Sequence, residues 1–416
     1  MNPGDELSLR LTGMAFGGEA IGRADDGRLV FVGFALPGER VRVELVEVRA
    51  RWARARLLEV LEPSPDRTEP RCRHFGRCGG CHYQHAAYDS QLRHKRDIVI
   101  DQLRRIGGLQ DAPVGPIVGS PDPWGYRNRL RFHLLPDNRL GFHDITQQAL
   151  FAVEECHLPG QIVGQLWPQL DFETAGGVVD VEVRQDSLGN AMVVLLGQGG
   201  PDFHLDSDIG ASVSWHEDDG MLVLAGDPDL TMEIGSRSFR VSPGSFFQTN
   251  LPLTELLVNK LLDLLPVGAG DHVFDLYAGV GLFSAFLAGR GARVTAVEAS
   301  PSACADFEVN LESFDQVTLY EATVEQTLPA LVEAPAAVVL DPPRAGLAVE
   351  TIDALVGWRT PHLAYVSCDP ATLARDAKRL TAGGYELVEL TPFDMFPQTY
   401  HIESLSHFVW RGAPAG

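Results

Sequence analysis

The sequence lacks both kinds of segment that would direct a protein to a membrane. No run of about 18 apolar residues occurs among its 416 residues, because charges interrupt the longest candidates. The amino terminus has no basic stretch followed by an apolar one, so no secretory signal is indicated. We therefore expect a cytoplasmic protein of about three domains, with no membrane partner and no obligate protein partner.

Cysteine is also scarce, and its six residues are not expected to form a disulfide framework in a reducing compartment. Three of them, Cys72, Cys78 and Cys81, lie within ten residues, and Cys156 is the only other cysteine in the N-terminal half. Four thiolates can hold an iron-sulfur cluster or a tetrahedral zinc ion. The spacing predicts a metal site and does not choose between these metals.

Positive charge is in deficit, with 34 Lys plus Arg against 56 Asp plus Glu. The deficit is uneven: residues 1–135 carry a net charge of +4 and the remainder −26. Several upstream arginines share predicted strand faces, where they could meet the phosphates of a nucleic acid or simply be solvated. They are Arg49, Arg51, Arg54, Arg56, Arg127, Arg129 and Arg131.

The hydrophobic pattern divides the chain into regions of different secondary structure. Residues 5–61 alternate in short runs and predict a five-stranded barrel, and three prolines after it suggest a linker. Residues 88–107 have helical spacing, and strand signals return over 125–240, which predicts an antiparallel central domain. From 254 onward strands alternate with helices, which predicts a doubly wound α/β sheet.

A nucleoside site is predicted where this sheet begins. Asp275 ends an apolar strand and is followed by Gly279 and Gly281, which let a ligand approach the backbone closely. Glu298 ends the next strand, where a carboxylate can accept hydrogen bonds from ribose hydroxyls. A dinucleotide site would look similar, but the third glycine is missing, so S-adenosylmethionine fits better. A simple tight turn is the alternative.

A reaction centre is predicted at the ends of two later strands. Asp341 opens a D-P-P-R sequence, which also suits amino-group methylases. Cys368 ends the next strand before a helix whose N-terminus would favour a thiolate, unlike Cys304, which has the pattern of a core residue. A thiolate that adds to C6 of a pyrimidine activates C5 for methylation, and Glu403 is the candidate base that removes the C5 proton.

These residues resemble the TrmA-type RNA uridine C5 methyltransferases, in the branch that modifies 23S ribosomal RNA. The resemblance covers nearly the whole chain and rests on six motifs. They are FFQTN (246–250), DLYAGVGLFS (275–284), VEAS (297–300), LDPPRAG (340–346), YVSCDPATLARD (365–376) and HIES (401–404).

The resemblance implies an α/β fold with a Rossmann-like class I methyltransferase domain, an N-terminal OB-like β-barrel of the TRAM type and an antiparallel β-rich central domain. The implied boundaries are 1–61 for the barrel, 62–87 and 118–240 for the central domain, and 88–117 and 241–416 for the catalytic domain. The family's catalytic residues correspond to Cys368 and Glu403. Its cofactor-binding positions correspond to Gln248, Tyr277, Glu298 and Asp341, beside the glycine turn at Gly279.

The resemblance also implies a [4Fe-4S] cluster on Cys72, Cys78, Cys81 and Cys156, with zinc as the alternative. The implied partner is RNA, and the implied substrate is a uridine of 23S ribosomal RNA. The same chemistry on transfer RNA, and a non-catalytic RNA-binding protein on a methyltransferase scaffold, are the alternative functions.

Overall fold

The computed structural model describes residues 1–206, 210–217 and 220–412. In these ranges the strands form a closed barrel, two sheets of seven strands and a two-stranded hairpin. None of the helices in the described ranges is long and apolar enough to cross a bilayer.

The N-terminal strands close into a small barrel. They are β1 (Glu6–Met14), β2 (Glu19–Arg23), β3 (Leu29–Gly33), β4 (Arg40–Val48) and β5 (Trp52–Glu62), in the order β1-β2-β3-β5-β4. Alternate residues such as Val30, Val32, Val41 and Val43 fill the interior and are fully buried. The barrel predicted from this alternation is confirmed.

The cysteine segment, residues 63–87, consists of turns and isolated bridges. Helix α1 (Tyr88–Gln102) follows and continues as one π-helical turn to Gly107, where Gly108 ends it with a φ of 72°. Its residues Ile98 and Val99 are buried in the core of the C-terminal sheet. The chain then runs beside that sheet as far as residue 118, which bridges to Phe393.

The central sheet carries most of the strands predicted between 125 and 240. Its members are β6 (Arg129–Leu134), β7 (Leu140–His143), β8 (Leu150–Ala152), β9 (Asp171–Gln185), β10 (Ala191–Asp206), β11 (Ser212–Glu217) and β12 (Gly220–Ala225). Their order is β12-β11-β10-β9-β6-β7-β8. All neighbours are antiparallel except β10 and β11, which are parallel. Alternating hydrophobicity encodes which face of a strand is buried and not its direction, so the sequence did not reveal this pair.

One face of the central sheet packs under helix α2 (Gln161–Leu166) around Phe132, Val181 and Trp167. The hairpin β13 (Leu230–Ile234) and β14 (Arg237–Val241) then leads into the C-terminal sheet.

The C-terminal sheet is the doubly wound layer predicted from the alternation of strands and helices. Its strands are β15 (His272–Leu276), β16 (Arg293–Glu298), β17 (Val317–Glu321), β18 (Ala337–Leu340), β19 (His362–Ser367), β20 (Tyr385–Phe393) and β21 (Glu403–Trp410). Its helices are α3 (Leu251–Leu264), α4 (Leu282–Gly289), α5 (Pro301–Asn310), α6 (Val324–Thr327), α7 (Val349–Trp358) and α8 (Pro370–Ala382).

The strand order in this sheet is β17-β16-β15-β18-β19-β21-β20. The first five strands are parallel, and β21 runs antiparallel to β19 and β20. Hydrophobic cores cover both faces, which explains why all four residues of β18 are buried. The carboxyl ends of β15, β16, β18 and β19 share one edge, where ligands bind in open parallel sheets.

Candidate active site

In the turn after β15, the backbone has an unusual conformation and lies directly against a cavity. Tyr277 has a φ of 69°, and Gly279 and Gly281 have φ of 55° and 91°. A Cβ added at Gly281 would lie 2.2 Å from the Leu311 side chain, so that position excludes other residues. A Cβ at Gly279 would meet nothing within 4 Å, which leaves room for a ligand there.

Glu298, at the end of β16, has its carboxylate fixed by backbone amides. Oε2 accepts a hydrogen bond from the Gly279 amide (2.8 Å), and Oε1 accepts from the amides of Ala299 (2.8 Å) and Ser300 (2.7 Å). Each carboxylate oxygen can accept more than one bond, so capacity remains for the hydroxyls of a ribose. The arrangement orients an acceptor toward the cavity before any ligand binds.

Two aspartates at the ends of β15 and β18 interact across the sheet edge. Asp275 is fully buried and accepts from Ser284 Oγ at 2.6 Å, and its Oδ1 has no hydrogen-bond partner among the described residues. Burial raises the pKa of Asp275 to about 6. Burial and the neighbouring Asp275 raise the pKa of Asp341 to about 7. Ionisation of this pair is therefore disfavoured in the free protein, and a cationic ligand at this edge would favour it.

Cys368 and Glu403 are brought together by the pairing of β19 with β21. Ser367 pairs with Ser404, and one further step along this register sets Cys368 opposite Glu403. Burial raises the pKa of the half-buried Cys368 thiol to about 12, with contributions from Glu403 and Asp341. Burial and Asp341 also raise the pKa of Glu403 well above its usual range.

The expectation that a helix N-terminus would make Cys368 a thiolate is wrong for the ligand-free protein. The first turn of α8 is already capped by Asp369, whose Oδ1 accepts from the amides of Ala371 and Thr372 at 2.9 Å. The free amides that would have favoured a thiolate are occupied, and the acids around the sulfur disfavour its charge.

Gln248 precedes α3 in a segment fixed from both sides. Its carbonyl oxygen accepts from Asn128 Nδ2 at 3.0 Å, and Asn250 caps α3 by accepting from the Leu253 amide. Its side chain is almost wholly buried and borders the same cavity as Cys368. The FFQTN segment thus reaches the site from outside the edge of the sheet.

One cavity of about 1540 Å³ is lined by these groups, except for Asp275. Its catalytic end is lined by the seven predicted residues Gln248, Tyr277, Gly279, Glu298, Asp341, Cys368 and Glu403. Its other end is lined by all four predicted metal-ligating cysteines, Cys72, Cys78, Cys81 and Cys156. In the described residues, no three His, Cys, Asp or Glu side chains are arranged so that they could hold a metal ion as they stand.

Three lining residues were not assigned a role from the sequence. His401 lies beside the catalytic end, and burial with the charges of Arg344 and Arg127 lowers its pKa to about 3, so it is a neutral imidazole. Burial raises the pKa values of both Cys368 and Glu403, and the charge of Arg344 opposes this rise. The HIES and D-P-P-R motifs pointed to His401 and Arg344, whereas no sequence signal distinguished Arg127 from its neighbours.

A parallel sheet with a glycine turn and a carboxylate on the following strand is a nucleoside-binding arrangement, and class I methyltransferases use it for S-adenosylmethionine. A family model described as tRNA (Uracil-5-)-methyltransferase matches residues 333–409, and the TRAM domain model matches residues 2–58. The chain is 34% identical to an uncharacterized RNA methyltransferase of Streptomyces coelicolor, over 97% of this chain and 92% of that protein. It is 30% identical to one of Chlorobaculum tepidum, over 97% and 96%.

A solved structure is also similar over the whole chain. It is the tRNA (uracil-54, C5)-methyltransferase of Pyrococcus abyssi in complex with S-adenosyl-L-homocysteine, with a TM-score of 0.74 and 26% identity, covering 97% of this chain and 100% of that one. The chain belongs to the TrmA-type family of S-adenosylmethionine-dependent RNA uracil-5-methyltransferases, and its barrel is a TRAM domain. The predicted fold class, enzyme class, methyl donor and RNA partner are confirmed.

Proposed function

We propose that this protein methylates C5 of a specific uridine in 23S ribosomal RNA through a covalent adduct between Cys368 and C6 of the base. The observation that carries the proposal is the convergence of Cys368, Glu403 and Asp341 in the cavity that Glu298 and Gly279 line. An RNA nucleotide flipped from its stack would place its base among these groups. Ribosomal RNA in the cytoplasm is the corresponding cellular setting.

In the proposed reaction the Cys368 sulfur adds to C6 of the uracil, and C5 gains carbanion character. S-adenosylmethionine, when bound, supplies an electrophilic methyl group on a positively charged sulfonium. Glu403 then accepts the C5 proton, and the bond between C6 and sulfur breaks, which restores the thiolate and releases the methylated base. Asp341, Glu298, Tyr277 and Gln248 would hold the cofactor, and Asp341 and Gln248 would also contact the uracil.

The protonation states of the free protein fit a site that is activated by its ligands. Cys368 and Glu403 each have a raised pKa because burial and neighbouring carboxylates oppose a further negative charge. Positive charge in the cavity lowers the pKa of neighbouring acids. We therefore expect both groups to ionise in the loaded enzyme, with Arg344 contributing in the same direction.

The four cysteines fit a [4Fe-4S] cluster chemically, although they are not arranged as a closed site. All of them border one end of the cavity, and the Gly80 amide lies 3.4 Å from the Cys78 sulfur, a donor suited to a thiolate. Burial raises the pKa values of Cys78, Cys81 and Cys156 in the metal-free protein, and the nearby charge of Arg127 opposes this rise at all three sulfurs. The proposed role is structural, and zinc is the alternative.

The choice of 23S ribosomal RNA depends on the cysteine pattern together with the TRAM barrel, features of the ribosomal branch that the sequence resembles. The likeness to the P. abyssi enzyme favours a second candidate, the same reaction on transfer RNA.

The proposed domain boundaries are 1–61 for the barrel, 62–87 with 118–240 for the central domain, and 88–117 with 241–416 for the catalytic domain. The burial of α1 against the C-terminal sheet supports this interleaving.

Methylation assays on separate RNAs test this function. We expect purified protein with labelled S-adenosylmethionine to form 5-methyluridine in unmodified 23S RNA, and not in 16S or transfer RNA. Label in transfer RNA alone would show that the substrate is transfer RNA and that the proposed chemistry is unchanged. Absence of 5-methyluridine from every RNA, with protein that carries its metal and binds S-adenosylmethionine, would refute the proposal.

A further inference from the structure

Most arginines on the outside of the barrel form ion pairs with nearby carboxylates. Arg42 binds Glu6 at 2.9 Å and Glu59 at 3.0 Å, and further pairs are Arg10–Glu62, Arg49–Glu47, Arg54–Glu19 and Arg56–Glu44. Residues 1–61 contain nine Arg and nine Asp plus Glu, so the barrel has no net charge. Three of the four barrel arginines predicted to meet phosphate, Arg49, Arg54 and Arg56, are therefore already paired, which weakens this row as a phosphate-binding surface.

The positive surplus lies instead in residues 62–131, with 12 Lys plus Arg against 8 Asp plus Glu. Many of these cations are paired as well: Arg131 lies 2.6 Å from Asp180, and Arg129 lies 4.0 Å from Glu182. Four arginines lack such a partner. Arg71, Arg77, Arg127 and, further along the chain, Arg344 have no carboxylate within salt-bridge distance in the part of the chain that the structure describes.

Arg71 and Arg77 flank the cysteine end of the cavity. Each is exposed and directly precedes a lining cysteine, Cys72 or Cys78. The Arg71 guanidinium lies 5.4 Å from the ring centre of Trp124, and that of Arg77 lies 4.4 Å from the ring centre of Phe151. Stacking on a ring holds a guanidinium in place and leaves its N–H edge free to donate to a phosphate.

The other two cations continue this line toward the reaction centre. Arg127 lines the cavity, and its charge acts on Cys81 at one end and His401 at the other. Arg344 acts on Cys368 and Glu403. The four arginines thus follow the cavity from the cysteines to the proposed nucleophile, in a protein whose net charge is −22.

We infer that the RNA strand beside the flipped uridine passes over the cysteine end of the cavity, with backbone phosphates bound by Arg71 and Arg77. The inference rests on the proposed function for the direction of the strand. The partner is single-stranded RNA, because phosphates bind the free guanidinium edges and the exposed cations follow a cavity rather than the groove of a duplex. The barrel then contributes shape and neutral contacts rather than charge.

Salt dependence of RNA binding tests the inference. The probe is a labelled, uridine-containing single-stranded oligonucleotide, and the variants are the doubles Arg71→Ala/Arg77→Ala and, in the barrel, Arg42→Ala/Arg56→Ala. In the first double, the loss of two phosphate contacts should reduce the magnitude of the negative slope of log affinity against log salt by about 1.4. The barrel double, which removes cations already paired with carboxylates, should leave the slope nearly unchanged.

The variant Arg71→Lys/Arg77→Lys keeps the charge and should restore most of the slope, which an indirect structural effect would not do. Metal content and S-adenosylmethionine affinity should match the wild type in all three doubles. A reduced slope in the barrel double alone would overturn the inference. If the wild type binds the oligonucleotide with the expected slopes and forms no 5-methyluridine in any RNA, the proposed function fails and the binding surface stands.

Discussion

At the scale of single residues, the site is built from acids that hold their protons. Asp341 and Glu403 are carboxyl groups with raised pKa values, and Cys368 is a thiol with a pKa of about 12. Each group disfavours ionisation of the others because they share one poorly solvated corner. Their reactivity therefore depends on what else enters the cavity.

Replacing the proposed nucleophile and replacing the proposed base should have different effects on the reaction. Cys368→Ala should abolish 5-methyluridine formation and leave S-adenosylmethionine binding within about twofold, because it removes the bond to C6. Glu403→Gln should form the methylated adduct and fail to resolve it, so RNA covalently attached to Cys368 should accumulate on denaturing gels. The double variant is the control and should show no adduct. Full turnover by either single variant would contradict these roles.

Binding of S-adenosylmethionine should depend on pH through Asp341. A cationic ligand favours the ionised carboxylate, whose pKa in the free protein is about 7. The affinity should therefore rise by about tenfold from pH 6 to pH 8 and then level off. Asp341→Asn should bind more weakly and lose most of this dependence when affinity is measured by calorimetry. An unchanged pH profile in the variant would show that another group titrates.

The same pKa shift affects folding stability. The folded pKa of Asp341 lies above its unfolded value near 4, so its contribution to stability is fully present below about pH 4 and is lost as pH rises through about 7. At about pH 8, without ligand, Asp341→Asn should therefore be more stable than the wild type. Thermal unfolding should show a free energy of unfolding higher by on the order of 1 kcal/mol or more. Near pH 4 the difference should vanish.

At the scale of elements, the segment between β20 and β21 is fixed by the cysteine segment and by helix α1. The Gln398 carbonyl oxygen accepts from the amides of His82 (2.8 Å) and Tyr83 (3.0 Å), and its side chain accepts from Gln91 Nε2 (3.0 Å). Lys95 and Asp394 form a fully buried ion pair at the start of the same segment. The proposed base Glu403 follows five residues after Gln398, so its position depends on these contacts.

Replacing Gln398 should affect base catalysis more than cofactor binding. Gln398→Ala removes the side-chain hydrogen bonds to Gln91 and to the Pro123 carbonyl oxygen, keeps the backbone bond to Gln91, and should cost about 1 to 2 kcal/mol of stability. We expect a lower kcat and accumulation of the covalent RNA adduct, with S-adenosylmethionine affinity unchanged. Gln316→Ala, which loses one hydrogen bond to Ala288 far from the cavity, is the matched control. Equal adduct levels in both variants would make Gln398 purely structural.

Much of the fold and most of the candidate site were predictable because short-range patterns encode them. Period-two alternation indicated the barrel, and Cys368 and Asp341 stand at strand ends that the topology brings to one edge. Charge pairing was not predictable, since the contact between Arg56 and Glu44 depends on strand register. The protonation of Cys368 was also not predictable, because it depends on the capping of α8 by Asp369 and on acids distant in the chain.

At the scale of the whole molecule, one cavity links parts that are far apart in sequence. The cysteine segment lies on one side of α1, the nucleophile lies near the end of the described chain, and both border the same space. A metal held by the cysteines would therefore stiffen one wall of the site. It would act on the reaction through structure, since no step proposed for Cys368 or Glu403 needs an electron.

The metal prediction is tested by composition. Protein prepared without oxygen should contain about four iron and four sulfide per chain. Cys81→Ser should lose most of both and lower the melting temperature by several degrees, whereas Cys304→Ser, outside the predicted set, should retain them. Because Cys81→Ser could fail to fold, Cys72→Ser, at a half-buried position, provides a second test. One zinc per chain without sulfide would establish the alternative metal.

The position of β21 also determines when the enzyme can become active during its synthesis. β21 carries Glu403 and inserts between β19 and β20, although it follows both in the chain. Until β21 has been synthesised, β19 and β20 have no strand between them, and the proposed base is missing from its position opposite Cys368. A nascent chain can therefore fold its barrel and central sheet early, yet it becomes competent to release methylated RNA only after the ribosome has delivered β21.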